Sequence, residues 1–272
     1  MMTRQMTRLN KLLLVPYILW LGIFIIIPIL LLIYFSLTDS AGHWSLSNYH
    51  QILSWQYVKM FSTSMIYAFI ITVITLLVSY PAAYYVAQSR HQQMLLLILI
   101  VPTWINLLLK TYAFIGIFSH DGIINRILQA VHLPELNILF TGPAFVVVAV
   151  YIYIPFMILP IFNSLRDIPH QLIQAASDLG ATPWTTFRKV IFPLSLKGVM
   201  TGVQVTFIPA LSLFMITRLI AGNKVINIGT AIEEQFLVIQ NYGLGSAIAL
   251  VLVIFMVLVL IVTQVTQREG RG

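Results

Sequence analysis

The chain has 272 residues, 59% hydrophobic and only 8% charged, with a net charge of +7 and a mean hydropathy of +0.93. A soluble domain carries about 25% charged residues and must cover itself with polar surface, so this composition excludes a soluble globule and points to lipid as the solvent. The absence of cysteine excludes disulfide scaffolds, thiolate metal sites and cysteine nucleophiles, and the lack of a basic stripe with interleaved aromatics excludes a nucleic-acid surface.

Six apolar segments follow one another: 12–36, 63–87, 94–118, 143–165, 199–220 and 246–266. Each has the roughly 20 residues that an α-helix needs to cross a hydrocarbon core of ~30 Å. None alternates strictly as a barrel strand does. The first follows Arg4, Arg8 and Lys11, as a signal peptide would, but its apolar run is too long and no small-residue cleavage site follows. The fold class predicted is all-α: a polytopic membrane protein of one domain, 1–272, with six transmembrane helices.

Lysine and arginine set the orientation. The termini and odd-side loops hold Arg4, Arg8, Lys11, Arg90, Arg166, Arg188, Lys189, Lys197, Arg268 and Arg271; the other side holds Lys59, Arg126 and Lys224. The positive-inside rule therefore puts both termini and the 166–197 loop in the cytoplasm. Asp39, Asp121, Glu135, Glu233 and Glu234 fall on the outer side, and no acid lies in the middle of a span. Pro28, Pro102, Pro155, Pro160 and Pro209 fall inside spans. They read either as ordinary transmembrane prolines or as bends around a translocation path.

Between spans four and five lies a polar loop built as helix, glycine turn, helix. Residues 172–179 are helix formers, Gly180 stops them, and Thr182-Pro183 supplies an N-cap and a first-turn proline for a second helix that Pro193 closes. Two readings stand: an amphipathic pair lying on lipid headgroups, or a docking element. Ala175 and Ala176 admit a close approach, and Arg188 and Lys189 can reach phosphate or carboxylate.

The run Gln174-Ala175-Ala176, three residues, Gly180, nine residues, then Val190-Ile191-Phe192-Pro193 resembles the EAA loop of ABC importer permeases. It departs at Gln174, where that family usually has Glu. Val101-Pro102-Thr103-Trp104-Ile105-Asn106, the following Lys110-Thr111-Tyr112, and Ile228-Gly229 before Gln235-Phe236-Leu237 are similar to the polyamine branch of that family, the B-type permeases of spermidine/putrescine importers. The resemblance implies a coupling-helix loop that docks an ATPase through Gln174, Ala175, Ala176, Asp178, Gly180, Arg188 and Pro193. It implies two ATPase subunits, a second homologous permease and an extracytoplasmic substrate-binding protein as partners. The chain has no Walker-type Gly-x-x-x-x-Gly-Lys-Ser/Thr run, so the resemblance places ATP and Mg on the partner ATPase, with no cofactor or metal here and no enzyme activity.

A polyamine needs carboxylates or aromatic faces, each cation–π contact worth about 0.5–2 kcal/mol. Trp104, Asn106, Tyr112, Tyr151, Tyr153 and Asn163 are the path candidates within spans, against the alternative of an interfacial aromatic belt for the rings. Lys110 is read as pairing with an acid of the second permease or gating the path, and Arg218 as snorkelling. Asp121, Glu233 and Glu234 are read as a cation-attracting mouth, a binding-protein dock or plain loop charges. Without an intramembrane acid, most carboxylate recognition of a polyamine falls to the binding protein or the second permease. Other cargoes of the same machinery are iron, thiamine or sulfate. A stand-alone secondary transporter or channel is disfavoured by the missing intramembrane acids, and a membrane enzyme by the missing ligand-spaced His/Asp/Glu cluster.

Overall fold

The computed structural model describes residues 14–39 and 42–269, and their side chains except those of 223 and 265–269. Arg4, Arg8, Lys11 and Arg271, and the side chain of Arg268, lie outside these described parts. Among the described residues the chain is helical, with one isolated antiparallel bridge between Thr38 and Trp44. The helices are α1 (Leu14–Ser36), α2 (Ser47–Ile52), α3 (Trp55–Gln88), α4 (Gln92–Ile100), α5 (Leu107–Phe118), α6 (Ile123–Ala130), α7 (Gly142–Arg166), α8 (His170–Asp178), α9 (Pro183–Leu211), α10 (Ile228–Glu233) and α11 (Tyr242–Glu269). Among the described residues six stretches are long and apolar enough to cross a membrane: α1, α3, Leu107–Ala130, α7, α9 and α11 as far as Gln264.

The chain forms two compact units. In the unit made of Lys59–Thr230 with the residues from Met256 onward, α7 is the central helix. Met157, Ile158, Ile161, Phe162 and Leu165 of α7 pack with Ala83 and Val86 of α3 and with Ile191 and Val199 of α9. In lipid there is no hydrophobic gain from bringing apolar helices together, so close packing must supply the association. Two glycines four residues apart provide it. A Cβ on Gly198 would lie 2.4 Å from the Pro160 carbonyl oxygen, and one on Gly202 would lie 2.6 Å from the Met157 sulfur. The hydropathy reading passes over this Gly-x-x-x-Gly spacing, although it is present in the sequence. Gln204 also donates to the Thr263 hydroxyl, a polar link between α9 and α11.

Besides an earlier start of α3, at Trp55 rather than 63, two segments differ from the sequence expectation in kind. The third, expected to be one helix over 94–118, is broken. α4 tightens into a 3₁₀ turn at Val101–Trp104, Ile105 and Asn106 are extended, and α5 starts afresh. The cause is local. Pro102 begins the tight turn, and Asn106 caps the new helix by accepting from the Leu108 N–H at 2.8 Å. An unbroken run of apolar side chains conceals both.

The fifth, expected over 199–220, starts sixteen residues earlier, at Pro183. Pro193 does not end the preceding helix, because a π-turn at Phe187–Ile191 absorbs it. The Phe192 N–H reaches back to the Phe187 carbonyl, so the missing donor of Pro193 falls where the ladder changes step. The helix then stops at Ser212, well short of residue 220. Asn227 holds that break open, donating to the Leu213 carbonyl at 3.2 Å and the Thr217 hydroxyl at 2.8 Å. Gly229 packs against it so closely that a Cβ would lie 2.6 Å from the Ser212 carbonyl oxygen. By contrast Pro155 and Pro160 lie inside α7, which stays one helix throughout.

The other unit contains the residues up to Val58 together with Ala231–Phe255. Its α1 is apolar on all sides and buries none of its apolar window within the chain. The end of α1 is fixed by Asn48, whose amide donates to the Ser36 and Thr38 carbonyls at 3.1 and 2.9 Å.

Candidate functional site

The 166–197 loop is built from local signals. α7 ends at Arg166, and α8 begins after Pro169, whose extended backbone (φ −61°, ψ 127°) turns the chain. α8 ends in a Schellman motif. Gly180 has φ +76°, its N–H donates to the Ser177 carbonyl at 2.9 Å, and the Ala181 N–H donates to the Ala176 carbonyl at 3.0 Å. The next helix starts as its sequence requires, with the Thr182 hydroxyl accepting from the Thr185 N–H at 3.3 Å and Pro183 in the first turn.

The two sides of this loop differ. Gln174, Ala175 and Asp178 are exposed, Ala176 is half-buried, and Leu179 is 88% exposed. Arg188 and Pro193 are exposed further along, on the π-turn and just after it. Leu179, which the sequence reading leaves out, is the most exposed large apolar side chain of the loop. The signal for it was a leucine placed immediately before the glycine stop.

The opposite side is fastened by aromatics. Phe187 stacks on Trp184 with centroids 5.6 Å apart, and meets Tyr84 and Tyr80 edge-on at 5.7 and 6.0 Å. Tyr80 also packs on Phe192 and shares a 2.8 Å hydrogen bond with the Ser195 hydroxyl. The loop is thereby tied to α3 and to the first turns of α9. A cavity of about 710 Å³ lies beside this attachment, lined among others by Tyr84, Gln88, Gln92, Arg166, His170 and Ile191.

The candidate path residues are dispersed. Trp104 (78% exposed) and Asn106 sit at the break between α4 and α5. Lys110 is half-buried and Tyr112 exposed on α5. No acid of the described residues stands within ion-pair distance of Lys110. Tyr153 is buried at 7% within α7, Tyr151 meets Phe114 edge-on at 5.0 Å, and Asn163 is exposed. Arg218 is exposed in the turn after α9. Asp121 is exposed, and its backbone carbonyl accepts from the Arg126 guanidinium at 2.9 Å. Glu233 ends α10 half-buried, and Glu234, exposed, opens the π-turn that follows. Among the described residues no group of three or more His, Cys, Asp or Glu is placed to hold a metal ion.

The profile of the family described as "Binding-protein-dependent transport system inner membrane component" matches residues 79–269. Over 253 residues the chain is 34% identical to the spermidine/putrescine transport system permease protein PotB of Escherichia coli (strain K12), covering 89% of this chain and 92% of that protein. PotB of Haemophilus influenzae is 31% identical over 253 residues, 89% of this chain and 88% of its own. Among solved structures, a chain of the bacterial alginate ABC transporter, in complex with its alginate-bound periplasmic protein, superposes with a TM-score of 0.83. That match covers 97% of this chain and 96% of the other at 15% identity. A chain of the inward-facing MetNI methionine ABC transporter gives 0.63 at 17% identity, covering 81% and 98%. At such identities these two likenesses speak for the fold, and the sequence matches carry the rest: the chain belongs to the family of inner membrane permease components of binding-protein-dependent ABC transport systems.

Proposed function

We propose that this permease is one of two that form the translocation path of an ATP-driven polyamine importer, and that its 166–197 loop docks an ATPase subunit in the cytoplasm. The observation that carries the docking reading is the two-sidedness of the loop. A capped helix presents Gln174, Ala175, Asp178 and Leu179 outward and packs Ile173 inward on the core, while further along the loop Phe187 is held by Tyr80 and Tyr84 of α3. A rigid arm fastened at one side transmits a push. Closure of the ATPase pair would displace α8, and the aromatic cluster would carry that displacement into α3 and α9.

The polyamine reading is supported by the 34% identity to a spermidine/putrescine permease over nearly the whole chain. ATP and Mg belong to the ATPase subunits, and an extracytoplasmic binding protein delivers the cargo. The path is assigned to Trp104, Asn106, Lys110, Tyr112, Tyr153 and Asn163. The exposed break at 105–106 is its most telling part, because unwound backbone at membrane depth is tolerated where protein or a water-filled cavity covers it. The test is co-purification followed by reconstitution. The chain, its second permease, ATPase and binding protein together are expected to accumulate radiolabelled spermidine in proteoliposomes with ATP inside. Deleting residues 170–180 is expected to abolish ATPase retention while membrane insertion persists. Retention of the ATPase by the deleted chain would refute the docking reading, and solute transport by the chain alone would refute the importer reading.

A further inference from the structure

No acid lies in the middle of a span, so a polycation has a carboxylate of this chain to meet only outside the spans. The structure supplies one in a built setting. A cavity of about 530 Å³ lies beside the end of α1, lined by Tyr34, Phe35, Thr38, Asp39, Gln240, Asn241 and Tyr242 among others. That volume is within the range of about 300–1,000 Å³ common for small-molecule sites. Among the described residues that line it, none is a lysine or arginine.

The parts of this cavity are held in place. Asp39 sits in a tight turn where its Oδ1 accepts from the His43 N–H at 2.9 Å and its backbone N–H donates to the His43 carbonyl at 2.9 Å. The nearest histidine nitrogen is His43 Nδ1, 3.9 Å from Asp39 Oδ2; that side chain is 81% exposed, and the Asp39 side chain 34%. Phe35 and Tyr242 have centroids 6.2 Å apart, and Tyr34 meets Phe35 edge-on at 5.5 Å. Gly243 lets the two walls approach. A Cβ there would lie 2.9 Å from the Asn48 amide nitrogen and 3.0 Å from the Thr38 carbonyl oxygen. Asn48 itself is 6% exposed and anchors Thr38 from below.

We infer that this cavity binds a primary ammonium group: the Asp39 carboxylate takes the charge, the faces of Tyr34, Phe35 and Tyr242 surround the adjacent methylenes and cation, and the Gln240 and Asn241 amides accept further N–H bonds. This chemistry fits an alkyl di- or triamine and rejects its uncharged analogue. The inference rests on the polyamine reading for its biological cargo and on the outer placement of Asp39, which makes the cavity a resting point on the side from which cargo arrives.

Equilibrium binding of radiolabelled spermidine to the complete permease–ATPase complex in nanodiscs, without binding protein, tests it. Saturable binding is expected, displaced by putrescine and not by 1,4-butanediol. Asp39→Asn is expected to weaken it about tenfold, the scale of one charge-assisted hydrogen bond. Asparagine keeps the Oδ1 acceptor for the His43 N–H, so the turn stands. Tyr242→Leu is expected to weaken binding about threefold, and Asp39→Glu to retain most of it. At saturating cargo-loaded binding protein, Asp39→Asn is expected to lower uptake while stimulated ATP hydrolysis holds. Equal spermidine binding by wild type and Asp39→Asn, no binding by wild type, or a defect confined to affinity for the cargo-free binding protein overturns the site. Uptake of spermidine with no effect of Asp39 sinks the site alone. Asp39-dependent binding without any uptake sinks the polyamine-import reading and leaves the ammonium site standing.

Discussion

Two regions of this chain interrupt a helix and restart it, and they do so with similar parts. At 179–183 the interruption is Gly180 at φ +76° followed by a threonine N-cap and a proline. At 101–107 it is a proline-led 3₁₀ turn followed by an asparagine N-cap. The first stands in a polar loop, the second inside a stretch whose side chains are almost all apolar. The difference teaches that hydropathy locates solvent and says little about backbone. In lipid, a capped break still reads as a continuous span.

The contrast is open to breakage, most severely at Gly180. Nothing lies within 4 Å of the position a Cβ would take there, so a substitution acts through the backbone alone. A β-branched residue in this left-handed conformation costs about 1–2 kcal/mol or more, enough to unravel the Schellman motif. Gly180→Val is expected to assemble in the membrane yet lose most transport-linked ATP hydrolysis, measured on the reconstituted complex. Full coupling in that variant would show that the turn is not the mechanical element.

The next effect belongs to Leu179. At 88% exposure its truncation removes almost nothing from the fold of the chain itself. Covered by a partner, it would contribute on the order of 1–2 kcal/mol. Leu179→Ala is therefore expected to leave the melting midpoint of the purified chain unchanged and to weaken ATPase association roughly tenfold. A lowered midpoint with unchanged association would place Leu179 against this chain or the lipid instead.

Caps come third, and they sharpen the comparison directly. Asn106 accepts at 2.8 Å and Thr182 at 3.3 Å. Asn106→Ala is expected to cost about 1 kcal/mol of stability in a denaturation series, with Thr182→Ala costing less. Asn106→Ser keeps an uncharged acceptor and is expected to recover most of the loss. If both alanine variants cost the same, the apolar setting adds nothing to the cap.

Legibility followed the range of the interactions. Six crossing stretches and the α8–turn–helix unit were readable, because length, hydropathy, Gly180 and Thr182-Pro183 act over a few residues. The early start of α9 was not, because it depends on a π-turn that moves the proline break of Pro193 out of the ladder. Its early stop was not, because the partners that hold Ser212–Thr217 are Asn227 and Gly229, ten or more residues on. Asp39 was counted as an outer acid but could not be placed beside Tyr242, about two hundred residues away in sequence, until the end of α1 and the start of α11 met around Gly243.

The smallest expected effect falls on the one residue where the loop departs from its family's pattern. Gln174 is exposed, four residues before Asp178 on the same face of α8. Gln174→Glu adds a carboxylate mid-helix beside that aspartate, a like-charge pair costing only a few tenths of a kcal/mol in water. Exposed substitutions of this kind stay within about 0.5 kcal/mol. On the docking reading the position calls for a hydrogen-bonding side chain that does not block Ala175 and Ala176, and both residues would supply it. Coupled ATP hydrolysis by Gln174→Glu is therefore expected to match wild type within about twofold. A larger gain would mean that the ATPase groove offers a cation the native chain leaves unpaired. A larger loss would mean that the groove has been matched to glutamine, and that the charge is excluded there.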